Sequence, residues 1–300
     1  MKKRLLSLVI LGWLSSFSSM ANHALVLQSD FGLGDGAVSA MQGVAFTVDD
    51  KIQLFNLTHD IPEYDVWQAA YRLYQTAEYW PAGTVFVSVV DPGVGTERKS
   101  VVLKTKNNQY FVSPDNGTLT LVAEKFGIAE VREINEATNR LKNSNQSYTF
   151  HGRDVYAYVG AKLASGLMRF DDVGAKVSQE ITSIPYQAAE ITGEQQISGN
   201  IPILDIRYGN VWTNIPADML KKANINKHDK LCITIFEHKV IKYQGKAPFV
   251  STFGDVNKGK PLVYINSLMN VSIALNMMNF AEKYQISSGS NWNINLKSCN

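Results

Sequence analysis

One glycine-rich loop carries a carboxylate and a guanidinium a few residues apart. Asp91 directly follows residues 84–90, a mostly apolar, β-branched run typical of a strand buried on both faces. Pro92 fixes one φ angle and two glycines follow, so the backbone can turn sharply before Arg98. Ligands of open α/β sheets bind at the carboxyl edge of the strands, where this loop would lie. The two side chains could meet a ligand there, although a tight turn with a capping aspartate and a surface arginine explains the loop equally well.

A second carboxylate, Asp30, has the same placement after the apolar strand 24–29. A glycine-rich turn follows it and leads into a helix predicted over residues 37–48 by its apolar spacing. A carboxylate at this position could accept two hydrogen bonds from a ribose diol, or it could simply cap the turn. The glycines do not fit the GxGxxG spacing, so a dinucleotide-binding fold is not favoured.

Two histidines lie in loops of this first half. His59 follows a predicted strand near the same sheet edge, and we interpret it as structural because a lone loop histidine usually satisfies a local hydrogen bond. His151 precedes a helix predicted over residues 155–164, where backbone N–H groups favour anions. Taken alone, His151 fits a capping or core histidine as well as a catalytic one.

The segment 205–215 offers an acid, an amide and two aromatic rings around a glycine turn: Asp205, Tyr208, Asn210 and Trp212. Such a set can hold a flat heterocycle by stacking and by hydrogen bonds to its edge. On composition alone, an ordinary hairpin with buried aromatic residues is the better interpretation.

Alternating strands and helices with short links predict a parallel sheet covered on both faces in the first half of the chain. Further strands are predicted at residues 52–57, 100–104, 110–112 and near 131, with helices at 65–80 and 118–126. The polar residues 135–147 are predicted to form an exposed loop. From residue 197 onward strands dominate, which predicts an all-β unit, a sandwich or a barrel. The fold class is therefore α/β: an N-terminal domain over residues 22–188 with a mixed or parallel sheet and flanking helices, then a C-terminal all-β, barrel-like domain over 189–300.

The composition of the chain argues against a nucleic-acid-binding protein and against a metal site. The 300 residues are 45% hydrophobic and 19% charged with a net charge of +2, which is typical of a globular protein and gives no support for nucleic-acid binding. The two cysteines, Cys232 and Cys299, could form one disulfide or remain two thiols, since sequence does not supply their separation. They are too few for a Cys-based zinc site, and no other metal-ligand cluster is visible, so no metal is expected.

The first residues have the pattern of a cleavable signal peptide. A positive segment, residues 1–4, precedes an apolar stretch at 5–14, and small residues at Ser19 and Ala21 fit cleavage after Ala21. The apolar stretch is short for a membrane span, so an uncleaved anchor is the less favoured alternative. We expect a periplasmic or secreted protein with no stable membrane anchor, an environment in which a disulfide is permitted.

Seven motifs in order resemble the S-adenosyl-L-methionine (SAM) hydroxide adenosyltransferases, or SAM hydrolases, which are related to fluorinase and chlorinase. The motifs are residues 29–32 (SDFG), 56–62 (NLTHDIP), 90–98 (VDPGVGTER), 114–117 (PDNG), 149–154 (TFHGRD), 208–215 (YGNVWTNI) and 266–267 (NS). The resemblance covers nearly all of the mature chain. It implies an N-terminal α/β domain, a C-terminal barrel-like domain and a homotrimer with active sites between neighbouring subunits.

The resemblance also implies residue roles. Asp91, Arg98 and His151 match the set that positions and activates water in the hydrolases, and the extra loop of the halogenating relatives is absent from this sequence. The implied substrate-binding residues are Asp30 for the ribose hydroxyls, Asp205 and Ser267 for the methionine part, Tyr208, Asn210 and Trp212 around the purine, and also Asp35 and Met277. Two departures lie near the expected pocket: residues 268–270 read Leu-Met-Asn where the family has an aromatic residue and a glycine, and Ala37 stands where a tyrosine is common.

The implied reaction is attack of water at the ribose C5′ of SAM, which gives adenosine and L-methionine. The sulfonium is already a good leaving group, and a dry site favours the loss of its charge, so no general acid and no metal or redox cofactor is expected. Either Asp91 or His151 could take the proton of the water. Two alternatives stay open: another exported adenosyl compound as substrate, and a nucleoside-binding or scavenging protein without turnover.

Overall fold

The computed structural model describes residues 23–299, and the predicted signal peptide, residues 1–21, lies outside them. Six strands of the first half form one sheet in the order β2-β1-β3-β5-β4-β6. They are β1 (Ala24–Ser29), β2 (Gln53–Thr58), β3 (Val85–Val89), β4 (Ser100–Thr105), β5 (Tyr110–Pro114) and β6 (Ile128–Glu133). The central strands β1 and β3 are buried along their whole length, as their continuous apolar sequences predict.

This sheet is mixed rather than wholly parallel. Strands β2, β1, β3 and β5 run parallel, whereas β4 is antiparallel to both β5 and β6. A parallel connection needs a crossover of about a dozen residues or more. The link 106–109 between β4 and β5 is too short for that and closes a hairpin instead.

Helices cover both faces of the sheet. They are α1 (Ala37–Val48), α2 (Val66–Thr76), α3 (Thr120–Phe126), a π-helical segment Gly152–Ala157 and α4 (Tyr158–Ala164). Side chains of β1 alternate between the faces: Leu25 and Leu27 pack with α1 and α4, and Val26 packs with α2 and α3. Gly160 lets α4 lie directly on the sheet, because a Cβ there would collide with Val87.

The second half is built from two antiparallel sheets around one core, as predicted for an all-β unit. Its strands are β7 (Glu190–Gly193), β8 (Gln196–Asn200), β9 (Ile203–Leu204), β10 (Val211–Pro216), β11 (Lys230–Glu237), β12 (Val240–Pro248), β13 (Pro261–Ile265), β14 (Asn270–Leu275) and β15 (Trp292–Ser298). Two short helices, α5 (Ala217–Lys222) and α6 (Phe280–Tyr284), complete it. The sheet orders are β13-β14-β10-β9 and β12-β11-β15-β8-β7. Residues 197–206, whose sequence is β-like throughout, do not form a single strand but are divided in two at Pro202, which has no N–H to donate to a ladder.

The two halves pack against each other through aromatic residues. The indole N–H of Trp67 in α2 donates to the carbonyl of Pro202 at 2.9 Å, and Trp67 and Tyr71 share a buried cluster with Ile203. Within the second half, Cys232 of β11 and Cys299, just after β15, form a disulfide, which resolves the alternative left open by the sequence. Over residues 23–299, no helix is both long and apolar enough to cross a membrane.

Candidate active site

A cavity of about 360 Å³ opens at the carboxyl ends of β1 and β3. Three of the predicted site residues line it, namely Asp30, Asp91 and His151. β1 and β3 are parallel neighbours with Ser29 opposite Val89, so the carboxylates that follow them arise at the same edge. The sheet thus brings together side chains that are far apart in the sequence.

Asp91 and Arg98 form a largely buried, bidentate ion pair. Arg98 Nε donates to both carboxylate oxygens of Asp91, at 2.9 and 3.1 Å, and the side chains are only 6% and 11% exposed. Burial alone would lower the pKa of Arg98, but the hydrogen bond to Asp91 and the nearby groups Tyr156, Asp91 and Glu136 together outweigh burial and raise that pKa. The turn therefore holds a permanently charged guanidinium against the carboxylate. The alternative interpretation of Arg98 as a surface arginine is wrong, because its side chain is largely buried.

His151 is buried at the start of the π-helical segment and pairs with a residue that the sequence did not indicate. Its Nε2 lies 3.2 Å from Oε2 of Glu136, which also accepts from Arg140 Nη1 at 3.0 Å. The hydrogen bond from His151, together with those from Ser100 and the charge of Arg140, lowers the pKa of Glu136 to about 2 even though burial opposes this. Glu136 is therefore ionised at neutral pH.

The prediction that residues 135–147 form an exposed loop is wrong for Asn139 and Arg140. Arg140 has a side chain only 7% exposed, and its guanidinium lies over the Tyr148 ring. Asn139 is buried and donates to the carbonyls of Asp172 and Val173. Polar composition predicted solvent exposure, but these polar groups find partners inside the protein.

Ser100 and Tyr156 join the two pairs into one network. The Ser100 hydroxyl accepts from Arg98 Nη1 at 3.0 Å, donates to Glu136 Oε1 at 2.9 Å and lies 3.2 Å from the Tyr156 hydroxyl. The Tyr156 hydroxyl also donates to Asp91 Oδ2 at 3.4 Å. Burial raises the pKa of Tyr156, so this phenol stays protonated and can serve as a donor.

Asp30 and Asp35 differ in their surroundings. Asp30 lines the cavity, and its carboxylate accepts the backbone N–H of Tyr64 at 3.0 Å, which leaves room for further donors. Asp35 lies on the exposed turn before α1, where its carboxylate accepts the N–H of Ala37 at 2.8 Å. His59, which lies near the same edge, is buried against Ser29 and Asn56, and burial lowers its pKa. These contacts agree with its interpretation as a structural histidine.

The remaining predicted residues line a second, larger cavity of about 1030 Å³ in the antiparallel half. They are Asp205, Tyr208, Asn210, Trp212, Ser267 and Met277. The turn depends on Gly209, which has φ +63° and lies so close to Asn279 that a Cβ would overlap its side chain. Asp205 Oδ1 accepts the N–H groups of Arg207 and Tyr208, at 3.2 and 3.3 Å. The hairpin thus presents polar groups together with the exposed ring of Tyr208 and the half-buried ring of Trp212.

The two cavities are separate within one chain, since no described residue lines both. The first offers a carboxylate, a guanidinium and an imidazole, groups that can orient a water molecule and accept its proton. The second offers aromatic faces and amide groups suited to a heterocycle. In the described part of the chain, no group of three or more His, Cys, Asp or Glu side chains is placed to hold a metal ion.

Comparisons with known proteins agree with this division. The SAM hydroxide adenosyltransferase N-terminal domain model matches residues 25–174 and the C-terminal domain model matches residues 199–293. An (R)-S-adenosyl-L-methionine hydrolase of Methanocaldococcus jannaschii is 34% identical over 247 residues, covering 81% of this chain and 84% of that relative. A fluorinase of Actinopolyspora mzabensis is 25% identical over 295 residues, covering 90% and 96%. The crystal structure of an uncharacterized conserved protein from Thermotoga maritima superposes with a TM-score of 0.81 at 34% identity, over 91% of this chain and 99% of that one. By its sequence and its fold, this chain belongs to the SAM hydroxide adenosyltransferase family.

Proposed function

We propose that this protein hydrolyses SAM to adenosine and L-methionine. The observation that carries the proposal is the single hydrogen-bonded network that joins Asp91, Arg98 and His151 beside the cavity that Asp30 also lines. A protein that only bound a nucleoside would not need a carboxylate, a guanidinium and an imidazole arranged around one small space. The family relationship to named hydrolases supports the same reaction.

The reaction needs little beyond an oriented water molecule. The water oxygen bonds to C5′ of the ribose while the C5′–S bond breaks and its electron pair goes to sulfur, which becomes the thioether of methionine. One water proton passes to a protein base. Asp91, held by Arg98, and His151 flank the space in which such a water would lie, so positioning accounts for much of the expected rate enhancement. No metal or redox group enters this scheme.

Water is favoured over halide as the nucleophile. The hydrolases named among the relatives are 30% to 34% identical to this chain, whereas the fluorinases are 25% to 27% identical. The Asp91, Arg98 and His151 set is intact, as the resemblance to the hydrolases requires. We expect adenosine, and not a 5′-halogenated nucleoside, as the product.

The complete site forms between subunits of a homotrimer in this proposal. The catalytic cavity and the heterocycle-binding cavity open separately in one chain, and large side chains at the rim of the second, Tyr208 and Met277, are 68% and 75% exposed. A neighbouring subunit that brings its second cavity onto the first would enclose the substrate and exclude water. The protein would act outside the cytoplasm if the predicted signal peptide is cleaved, with SAM or a related adenosyl compound as its substrate there.

The test is direct. Protein from residue 22 onward is incubated with SAM, and adenosine and methionine are followed by chromatography. We expect both products from the wild type, loss of both in His151→Asn, and full activity in the matched variant His238→Asn, whose histidine is exposed on a turn remote from the network. Tight binding of adenosine without turnover by the wild type would contradict the hydrolase proposal and favour the binding protein.

The shared site is tested by mixing two inactive variants. Asp91→Ala damages the first cavity and Asp205→Asn damages the second. If each site combines cavities of two subunits, randomly mixed trimers regain about one quarter of wild-type activity, because that fraction of sites combines two intact halves. Sites within single chains would regain none.

A further inference from the structure

We infer that Glu136 is a positioning residue that fixes the tautomer of His151, so that the Nδ1 atom of His151 is the base that takes the proton from water. This inference rests on the proposed hydrolase function and deepens it. It assigns a role to a residue outside the Asp91, Arg98 and His151 set, and it decides between the two proton acceptors that the sequence left open.

The hydrogen bond between His151 and Glu136 has a defined direction. The two carboxylate oxygens of Glu136 accept from three sources: Ser100 Oγ at 2.9 Å, Arg140 Nη1 at 3.0 Å and His151 Nε2 at 3.2 Å. Because Ser100 and Arg140 also donate to this carboxylate and help to lower its pKa, it is ionised at neutral pH and can only accept. The hydrogen must therefore lie on Nε2 of His151.

The other ring nitrogen of His151, Nδ1, is free to accept a proton. In a neutral imidazole with hydrogen on Nε2, Nδ1 carries the lone pair. Nδ1 of His151 is buried and has no hydrogen-bond partner among the described residues, although His151 lines the same cavity as Asp91. A buried, unpartnered acceptor is costly unless a ligand or water satisfies it. The attacking water is such a partner.

The carboxylate of Asp91 is already occupied by hydrogen bonds from other protein groups. Its carboxylate already accepts two bonds from Arg98 Nε, a further bond from Arg98 Nη2 and one from the Tyr156 hydroxyl. Four accepted bonds match the roughly four acceptor sites of a carboxylate, whereas Nδ1 of His151 has no partner among the described residues. Asp91 therefore holds Arg98 at the edge of the cavity, while the proton goes to His151.

Glu136 stabilises the charge that His151 gains when it takes the proton of the water. As the water oxygen bonds to C5′ and the sulfonium becomes neutral, Nδ1 takes one proton and His151 becomes an imidazolium. Glu136 then lies beside a cation instead of a neutral ring, so the pair gains electrostatic stabilisation as charge develops. The charged and titratable groups around this pair are Asp91, Arg98, Arg140, Tyr148, Asp154 and Tyr156.

Two substitutions separate position from charge. In Glu136→Gln the amide oxygen can face Arg140 and His151 while its NH₂ group donates to Ser100, so the tautomer is kept and the charge is lost. Glu136→Ala loses both. We expect kcat to fall by about tenfold in Glu136→Gln and on the order of 10²-fold in Glu136→Ala, with KM little changed, since general-base catalysis contributes about 10²- to 10⁴-fold. Glu133→Gln is the control, because Glu133 lies near in sequence but pairs with Lys99 at the surface.

The pH dependence of kcat distinguishes a positioning role of Glu136 from a purely structural one. Without the anion of Glu136, the imidazolium form of His151 is less stabilised, so the acidic limb of kcat should move to lower pH in Glu136→Gln and stay in place in Glu133→Gln. Equal rates in wild type, Glu136→Gln and Glu136→Ala would overturn the inference. So would a fall in rate that is the same in both variants and leaves the acidic limb unmoved.

The tautomer is measured without any turnover. Nitrogen NMR of the histidines above the acidic limb, with the His151 signals assigned from the His151→Asn variant, should show hydrogen on Nε2 in the wild type and in Glu136→Gln, and a mixture in Glu136→Ala. Hydrogen on Nδ1 in the wild type would overturn the inference. If the wild type forms no adenosine from SAM, the hydrolase proposal fails, and this spectrum alone still decides whether Glu136 sets the tautomer.

Discussion

Removing one partner of the Asp91–Arg98 pair should destabilise the protein much more than removing a surface ion pair. Both side chains are nearly buried, and Asp91→Ala would leave the guanidinium of Arg98 with only Ser100 as its hydrogen-bond partner among the described residues. Breaking a buried pair costs about 3 to 5 kcal/mol. Because this pair borders an open cavity that water can enter, we expect the lower end, about 3 kcal/mol. Arg98→Met should cost a similar amount, and the double variant should cost about 2 kcal/mol less than the sum.

The assay is a double-mutant cycle by urea unfolding, with activity measured on the same samples. The control cycle uses Lys99 and Glu133, a pair 3.6 Å apart whose side chains are 52% and 42% exposed, and its coupling should stay below about 0.5 kcal/mol. Asp91→Ala should also abolish turnover while adenosine still binds. A coupling for Asp91 and Arg98 as small as that of the control pair would refute the view that this ion pair is buried, and equal losses of turnover and binding would refute the role of Asp91.

Three further predictions concern other parts of the chain. The disulfide between Cys232 and Cys299 spans 67 residues, so reduction or the double serine variant should lower the free energy of unfolding by about 4 kcal/mol in urea titrations, and the serine variant should no longer respond to reductant. The pKa of Glu136 is lowered from 4.5 to about 2, so its stabilising contribution is complete above about pH 4.5 and is lost as the pH falls toward 2; the urea midpoint of Glu136→Gln should therefore change less than that of the wild type between about pH 5 and pH 2.5. Gly209→Ala should lower adenosine affinity by calorimetry, because the turn needs φ +63° and its Cβ would overlap Asn279; unchanged affinity would show that this hairpin does not bind the nucleoside.

Much of the first half of the fold could be predicted because its signals are local. The apolar runs of β1 and β3 indicate strands buried on both faces, and the residues just after such strands must lie at one edge of the sheet. Asp30 and Asp91 are therefore expected at the same edge from the sequence alone, and the structure places them there. The break at Pro202 also has a local signal in the sequence, since proline cannot donate to a ladder.

Glu136 and Arg140 could not be identified in the same way. Their segment is polar and lacks periodicity, a pattern that indicates a solvent-exposed loop. Both side chains are nevertheless held in the protein, because Ser100, His151 and the Tyr148 ring come to them from other elements. The only available signal is the position of Glu136 three residues after the end of β6, and position alone does not distinguish a surface carboxylate from a partner of His151.

The sequence by itself determined most of the element types and the sheet edge at which Asp30 and Asp91 lie, and it indicated Asp91, Arg98 and His151 as candidate site residues, because strand periodicity, turn residues and ordered motifs lie within short stretches of chain. Only the tertiary structure decided that β4 reverses direction, that Cys232 and Cys299 pair, that the two cavities open separately, and that Glu136 lies within hydrogen-bond distance of His151. Each of these depends on the distance between residues remote in the sequence. Such distances follow from how sheets and helices pack together, and no local pattern contains them.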